Sequence, residues 1–109
     1  VHISLAEKAD CIVIAPATAN IIAKIANGIC DDMLTCAICA AKAPVLLAPA
    51  MNTLMYGNKI VQANIDKLKK IGCHFTGPIK GRLACGAEGI GHIQDPQVII
   101  KEVKSLLGL

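Results

Sequence analysis

The sequence predicts an α/β fold in which a parallel sheet carries helices on both faces. Two observations predict it. Cys11–Ala15 and Pro44–Ala48 are short, charge-free aliphatic runs, each followed by a proline, with the composition of strands buried on both sides. Segments with apolar residues at helical spacing separate them, which implies right-handed βαβ crossovers. At 109 residues the chain makes one domain at most.

Element by element, Ser4–Ala9 reads as the end of a short helix. Cys11–Ala15 is the first strand, stopped by Pro16. Thr18–Asn27 follows as a helix with Ile21, Ile22, Ile25 and Ala26 on one face, and Gly28 suits its C-terminal stop. Asp31 and Asp32 suit the positive end of a further helix, Met33–Ala41. Pro44–Ala48 is the second strand, stopped by Pro49. Asn58–Ile71 is an amphipathic helix with Val61, Ile65, Leu68 and Ile71 turned inward. After Gly72, Cys73–Thr76 makes a short third strand. Gly77–Gly91 holds five glycines and reads as a loop. Asp95 and Pro96 open a last helix with Ile99, Val103 and Leu106 inward. Three strands alone leave two apolar edges, so a preceding βα portion is expected to be missing here, supplied elsewhere, or replaced by subunit contacts.

Composition removes several function classes. Tyr56 and Phe75 are the only aromatic residues, too few to stack single-stranded nucleic acid. The formal charge of +3 comes from eleven basic and eight acidic residues scattered along the chain, which is no phosphate-backbone footprint. The longest charge-free stretch, Ala43–Asn58, is broken by Pro44, Pro49 and Asn52 and does not span a bilayer. The first residues are not a secretory leader. A soluble, cytoplasmic chain is expected, with its six cysteines as reduced thiols, most of them small buried hydrophobes. Cys36-Ala37-Ile38-Cys39 has no second pair at metal-ligand spacing, so it reads as two small core residues and not as a zinc or redox site.

Ligands of open parallel sheets bind beyond the carboxyl ends of the strands. Two loops leave such ends here, Pro16–Asn20 and Pro49–Tyr56. Both have one construction: strand, Ala-Pro-Ala, then a polar amide. Small residues admit a flat ligand to the backbone, and an asparagine offers a donor and an acceptor together. Asn20 and Asn52 either serve such a site or cap turns and helices. His2, His74 and His92 carry no chemical signature of their own. Cys85 differs from the other cysteines because it stands in a glycine-rich segment, Leu83–Gly91, that could close over a ligand or be a surface turn.

Ala15-Pro-Ala-Thr-Ala-Asn20, Ala48-Pro-Ala-Met-Asn-Thr-Leu-Met-Tyr56 and Ala84-Cys-Gly-Ala-Glu-Gly-Ile-Gly91, together with the opening His2–Asp10, resemble the flavoprotein phosphopantothenoylcysteine decarboxylases. The resemblance covers essentially the whole chain, with four segments in family order. It implies a flavodoxin-like (Rossmann-like) doubly wound parallel sheet that binds FMN and assembles as trimers or multiples of trimers. These 109 residues would form the carboxy-terminal part of the decarboxylase domain. The first strand and the loop for the FMN phosphate would lie outside them, and weak FMN binding by this stretch alone is the corresponding expectation.

By position, the resemblance makes His2 the base and Asn52 the holder of the substrate carboxylate. Met51 and Met55 shape that pocket, and Thr18, Ala19, Asn20, Ile21 and Ala50 contact the flavin. Cys85 becomes the proton donor of a flap, with Ala84 and Gly86 beside it touching substrate. The implied reaction is FMN-dependent oxidative decarboxylation of 4′-phosphopantothenoylcysteine, then reduction to 4′-phosphopantetheine, with no metal. Ile21, Tyr56 and His92 depart from the family's usual threonine, tryptophan and arginine. Two other readings stay open: a non-catalytic or regulatory subunit of the same fold, and an FMN-dependent decarboxylase of another cysteine-containing substrate.

Overall fold

A computed structural model describes residues 9–82 and 88–109. The expected helix end at Ser4–Ala9 lies almost entirely outside them. Strand β1 (Ile12–Ala17), helix α1 (Ala19–Ala26), helix α2 (Met33–Ala40) and strand β2 (Val45–Pro49) come first. Helices α3 (Thr53–Tyr56) and α4 (Lys59–Lys70), strands β3 (His74–Phe75), β4 (Ile79–Arg82) and β5 (Glu88–His92), and helix α5 (Pro96–Leu106) follow. β1, β2 and β3 form a parallel sheet in that order; β4 and β5 pair separately as an antiparallel hairpin.

β2 organises the packing, because all five of its residues are buried. Val45 and Leu47 join Ile14, the Ile22, Ile25 and Ala26 face of α1, Ile38 of α2, and Ile65 and Leu68 of α4. Leu46 and Ala48 point the other way, against Ile99 of α5 with Ile93, Val103 and Leu106 at the margin. Helices therefore cover both faces at β2, as the aliphatic run predicts. β1 departs from that expectation. Val13 is 39% exposed although it pairs with Leu46. The reason is that α5 lies over β2 and its cluster does not extend to Val13. β1 also runs past Pro16 to Ala17, with a register irregularity between Ile14 and Ala17 that accommodates a residue without an N–H.

Three further expectations change. Ile71 is 70% exposed, because it is the C-cap of α4 and lies beyond the last inward turn. The buried stripe of α2 runs through Thr35 and Ile38, so Cys36 and Cys39 are rotated off it: Cys36 is half-buried and Cys39 exposed, not a core pair. None of the five described cysteines is fully buried, and all carry free thiols. Asp31 and Asp32 also divide their roles. Asp32 caps α2 in a reciprocal box, accepting from the Thr35 N–H at 2.8 Å while its own N–H donates to Thr35 Oγ1 at 3.1 Å. Asp31 reaches back instead to Lys24 on α1, 2.9 Å away.

The expected loop Gly77–Gly91 contains the β4–β5 hairpin, and its glycines serve close approach more than turning. Met51 N–H donates to the Gly91 carbonyl at 2.9 Å. Gly91 has φ +141°, and a Cβ there would collide with the Met51 carbonyl. A Cβ at Gly89 would collide with Thr53 Oγ1. Side chains at these positions would push the hairpin off the loop that follows β2.

Two outcomes follow from this packing. Gly91→Ala should undock the hairpin, raising amide exchange at Met51 about 10-fold or more while leaving β2 protected; unchanged Met51 protection would contradict the contact. The Thr35 backbone N–H, and then its hydroxyl, hold the Asp32 carboxyl below the usual carboxylate range. Its contribution is therefore complete above the ordinary value near 3.8 and is lost as pH falls through the lower folded value. Urea denaturation across that acid range should show a shallower loss of stability in Asp32→Ala, by up to one proton in slope.

Candidate functional site at the carboxyl edge of the sheet

β1 ends in Ala15-Pro16-Ala17 and hands over to α1 through Thr18. Thr18 is the N-cap, its hydroxyl oxygen accepting from the Ile21 N–H at 3.2 Å. That leaves Asn20 in the first turn, exposed and free of any capping duty. Ile21 is half-buried and packs against the core, so it anchors the turn. Thr18 and Asn20 thus present a hydroxyl and a carboxamide above backbone that small alanines leave open.

β2 ends beside it. Ala50 N–H donates to the Ala17 carbonyl at 3.1 Å, which ties the two strand ends together. Met51 is half-buried against the main core, and Met55 is 49% exposed. Asn52 caps α3, its Oδ1 accepting from the Leu54 N–H at 2.8 Å. The capping alternative therefore accounts for the oxygen of Asn52, while the residue stays exposed with its amide Nδ2 left to donate. Tyr56 packs against the core and its carbonyl accepts from Gln62 Nε2, which fixes the far end of the loop.

The hairpin is the third wall. Its glycine face, Gly89 and Gly91, rests on Met51 and Thr53. Alternation along the strands puts Lys80, Arg82 and Glu88 on the opposite, exposed face. His92, at the base of β5, is exposed, with Nδ1 2.8 Å from the Ile93 carbonyl. His74 is an exposed residue of β3, paired in register with Leu46 at the middle of the sheet.

The structure therefore brings Thr18, Ala19, Asn20 and Ile21 together with Ala50, Met51, Asn52 and Met55. His2, Ala84, Cys85 and Gly86 lie outside the described residues. Glu88 and Arg82, which flank residues 83–87, belong to the hairpin that is seated on the Asn52 loop. Gly89 and Gly91, which the sequence places in a glycine-rich loop, form the contact face of a strand, and nothing in the sequence marks their partner Thr53; glycine at alternate positions of a potential strand signals backbone approach as readily as a turn. Thr53 Oγ1 is buried and has no hydrogen-bond partner. Such an unpaired hydroxyl costs about 1–3 kcal/mol.

Comparison with known proteins gives one consistent picture. The chain is 52% identical over 100 residues to the coenzyme A biosynthesis bifunctional protein CoaBC of Bacillus subtilis, covering 92% of this chain and 25% of that protein. It is 45% identical over 105 residues to phosphopantothenoylcysteine decarboxylase of Arabidopsis thaliana, covering 94% and 50%. Among solved structures it superposes with a TM-score of 0.95 and 42% identity on a cysteine-to-serine mutant of PPC decarboxylase complexed with pantothenoylaminoethenethiol, covering 99% of this chain and 60% of that one. The FMN binding protein AtHal3 gives 0.86 and 44%, covering 95% and 57%. The chain thus spans between a quarter and 60% of the lengths of these proteins. The fold is the flavodoxin-like doubly wound one of these neighbours. The family model described as Flavoprotein matches residues 1–108, and the chain belongs to that family.

Proposed function

We propose that this chain forms the carboxy-terminal part of an FMN-dependent phosphopantothenoylcysteine decarboxylase that makes 4′-phosphopantetheine for coenzyme A biosynthesis. One observation carries the reading: the Ala17–Ala50 bond and the seated hairpin gather three separate sequence segments at the carboxyl edge of the sheet. The relatives named above support the choice of reaction.

The donor set at the end of β1 fits a flavin. A flavin's polar rim alternates carbonyl oxygens with N–H groups. The Thr18 hydroxyl and the Asn20 carboxamide can each donate and accept toward such a rim. Ala15, Pro16, Ala19 and Ala50 keep bulk away from its flat face, and Ile21 holds the turn from below. Bound there, FMN would supply the hydride acceptor and donor that the net non-oxidative reaction needs.

The chain's own residues would bind the substrate and move its protons. Asn52 Nδ2, left over from the α3 cap, donates to the substrate carboxylate and orients it for loss as CO₂. Met51 and Met55 supply a deformable apolar wall around the cysteine moiety. His2 acts as the base. Loss of CO₂ leaves an electron pair on the neighbouring carbon, and the Cys85 thiol donates a proton to it. Exposed Ile29, Met33 and Leu34 around the start of α2 support a subunit contact in a trimer or multiple of trimers. No described helix is long and apolar enough to cross a membrane; the cytoplasmic location is part of the proposal and follows the biosynthetic role of the relatives.

The test is a flavin spectrum, and CO₂ release from 4′-phosphopantothenoylcysteine, for the full-length protein that contains these residues. A yellow, active protein is expected; a colourless, inactive one would favour a non-catalytic subunit. Cys85→Ser should release CO₂ but accumulate the oxidised enethiol, and an unchanged product would remove Cys85 as donor. Asn52→Ala should lower kcat/KM about 10- to 100-fold, the scale of one hydrogen bond to a charged group. Turnover of cysteine-ending peptides in preference to phosphopantothenoylcysteine would move the assignment to another substrate.

A further inference from the structure

The connection between α1 and α2 gathers three thiols that the proposed reaction does not use. Cys36 and Cys39, one turn apart on α2, share a face of the helix. Cys30 stands in the connection, where residues 29–31 belong to no helix or strand. The Cys36 thiol donates to the Cys30 carbonyl at 3.4 Å, which holds the connection against that face. The Cys30 thiol donates to the Gly28 carbonyl at 3.5 Å and lies beside the thiol of Cys39. Exposure then separates the three: Cys30 and Cys39 are exposed, and Cys36 is half-buried. Cys39 also lines a cleft at the amino-terminal edge of the sheet, together with Lys42, Val45 and Cys73, so a small molecule in that cleft meets its sulfur. Among the described residues no group of three or more side chains is placed to hold a metal ion, which leaves this cluster the chemistry of thiols with one another.

We propose that Cys30 and Cys39 form a dithiol site that low-molecular-weight disulfides oxidise to an intramolecular disulfide. The reactive pair is thus not the Cys36-Ala37-Ile38-Cys39 motif. Both sulfurs of that motif ride on helical backbone, whereas Cys30 lies outside the helices and is free to take up the specific geometry of a disulfide. Cys39 reacts first. Its sulfur loses its proton and attacks one sulfur of the reagent, which forms a mixed disulfide and releases one small thiol. The Cys30 sulfur then loses its proton, attacks the Cys39 sulfur and expels the second small thiol. The protein thiols give up two electrons, and the reagent, reduced to two thiols, takes the electrons and both protons. The neighbouring Cys39 thiol and burial hold Cys30 protonated, so it is a poor attacker of reagents in solution and serves to close on a sulfur already beside it. In a reducing compartment such a bond is transient, and its presence reports oxidant.

Oxidised glutathione, added to the full-length protein that contains these residues, supplies the test. Free thiols are blocked with one alkylating reagent, disulfides are reduced, the released thiols take a second label, and mass spectrometry reads each cysteine. The second label should appear equally on Cys30 and Cys39, and at least about 10-fold less on Cys36 and on Cys73, in keeping with the site selectivity of thiol oxidation. Before reduction the oxidised protein should carry no glutathione on either residue. Pairing of Cys39 with Cys36 or Cys73, or a glutathione adduct that persists on Cys39, would overturn the proposal. Cys30→Ser should trap the mixed disulfide on Cys39, and Cys36→Ser should still close the bond; a Cys30→Ser protein without the trapped adduct would count against Cys39 as the first sulfur to react. None of these residues belongs to the proposed decarboxylase machinery, so either result leaves that reading as it stands.

Discussion

The burial of β2 on both faces is the constraint on which the molecule depends. Five consecutive residues without a charge alternate between two cores, Val45 and Leu47 toward α1, α2 and α4, Leu46 and Ala48 toward α5. No other described strand is covered in this way. Because β2 is also the middle strand, its ends set where β1 and β3 end. The edge at which ligands can bind is thereby decided before any side chain of the site is considered.

At that edge the chain gains proximity by omitting side chains. Alanines line the ends of β1 and β2, and glycines line the face of β5 that meets Met51 and Thr53. Backbone groups then make the joints: Ala50 to Ala17, and Met51 to Gly91. Such joints are short and directional, so they position Asn52 and the arms of the hairpin without a large apolar contact. They also leave polar groups at risk of being stranded, and Thr53 is the instance.

The amino-terminal edge of the sheet has a different character. A cleft of about 530 Å³ opens there, lined in part by Ile38, Cys39, Lys42, Val45, Cys73 and His74. Burial pushes the Cys73 thiol up, and the neighbouring Cys39 thiol, with burial, pushes up that of Cys30, which keeps both protonated and poor as nucleophiles. The helices end toward this edge, with Lys67, Lys69 and Lys70 in the last turn of α4 offsetting its carbonyl end. The two edges of one sheet are thus chemically distinct: amides and hydroxyls at one, thiols and lysines at the other.

Much of this was readable along the chain, and the division follows a physical line. Features set by neighbours in sequence came through: the two aliphatic strands, the helix starts near Thr18 and Asn58, the caps at Asp32 and Asp95, the inward isoleucines of α1, and the repeated Ala-Pro-Ala turns at the carboxyl edge. These depend on spacing and on local hydrogen bonding, which a sequence displays directly. Features that depend on what lies across a gap did not. Glycines at 81, 89 and 91 look like a loop until Met51, Thr53 and His92 are placed against them. Cys36 and Cys39 look buried until the turn of α2 is set by Thr35 and Ile38, and Val13 looks covered until α5 settles over β2. Local order determined the main strands and helices and their ends; only the tertiary structure decided which faces meet and that the glycine-rich segment pairs as strands, because contact between distant segments is a property of packing and not of any one stretch of residues.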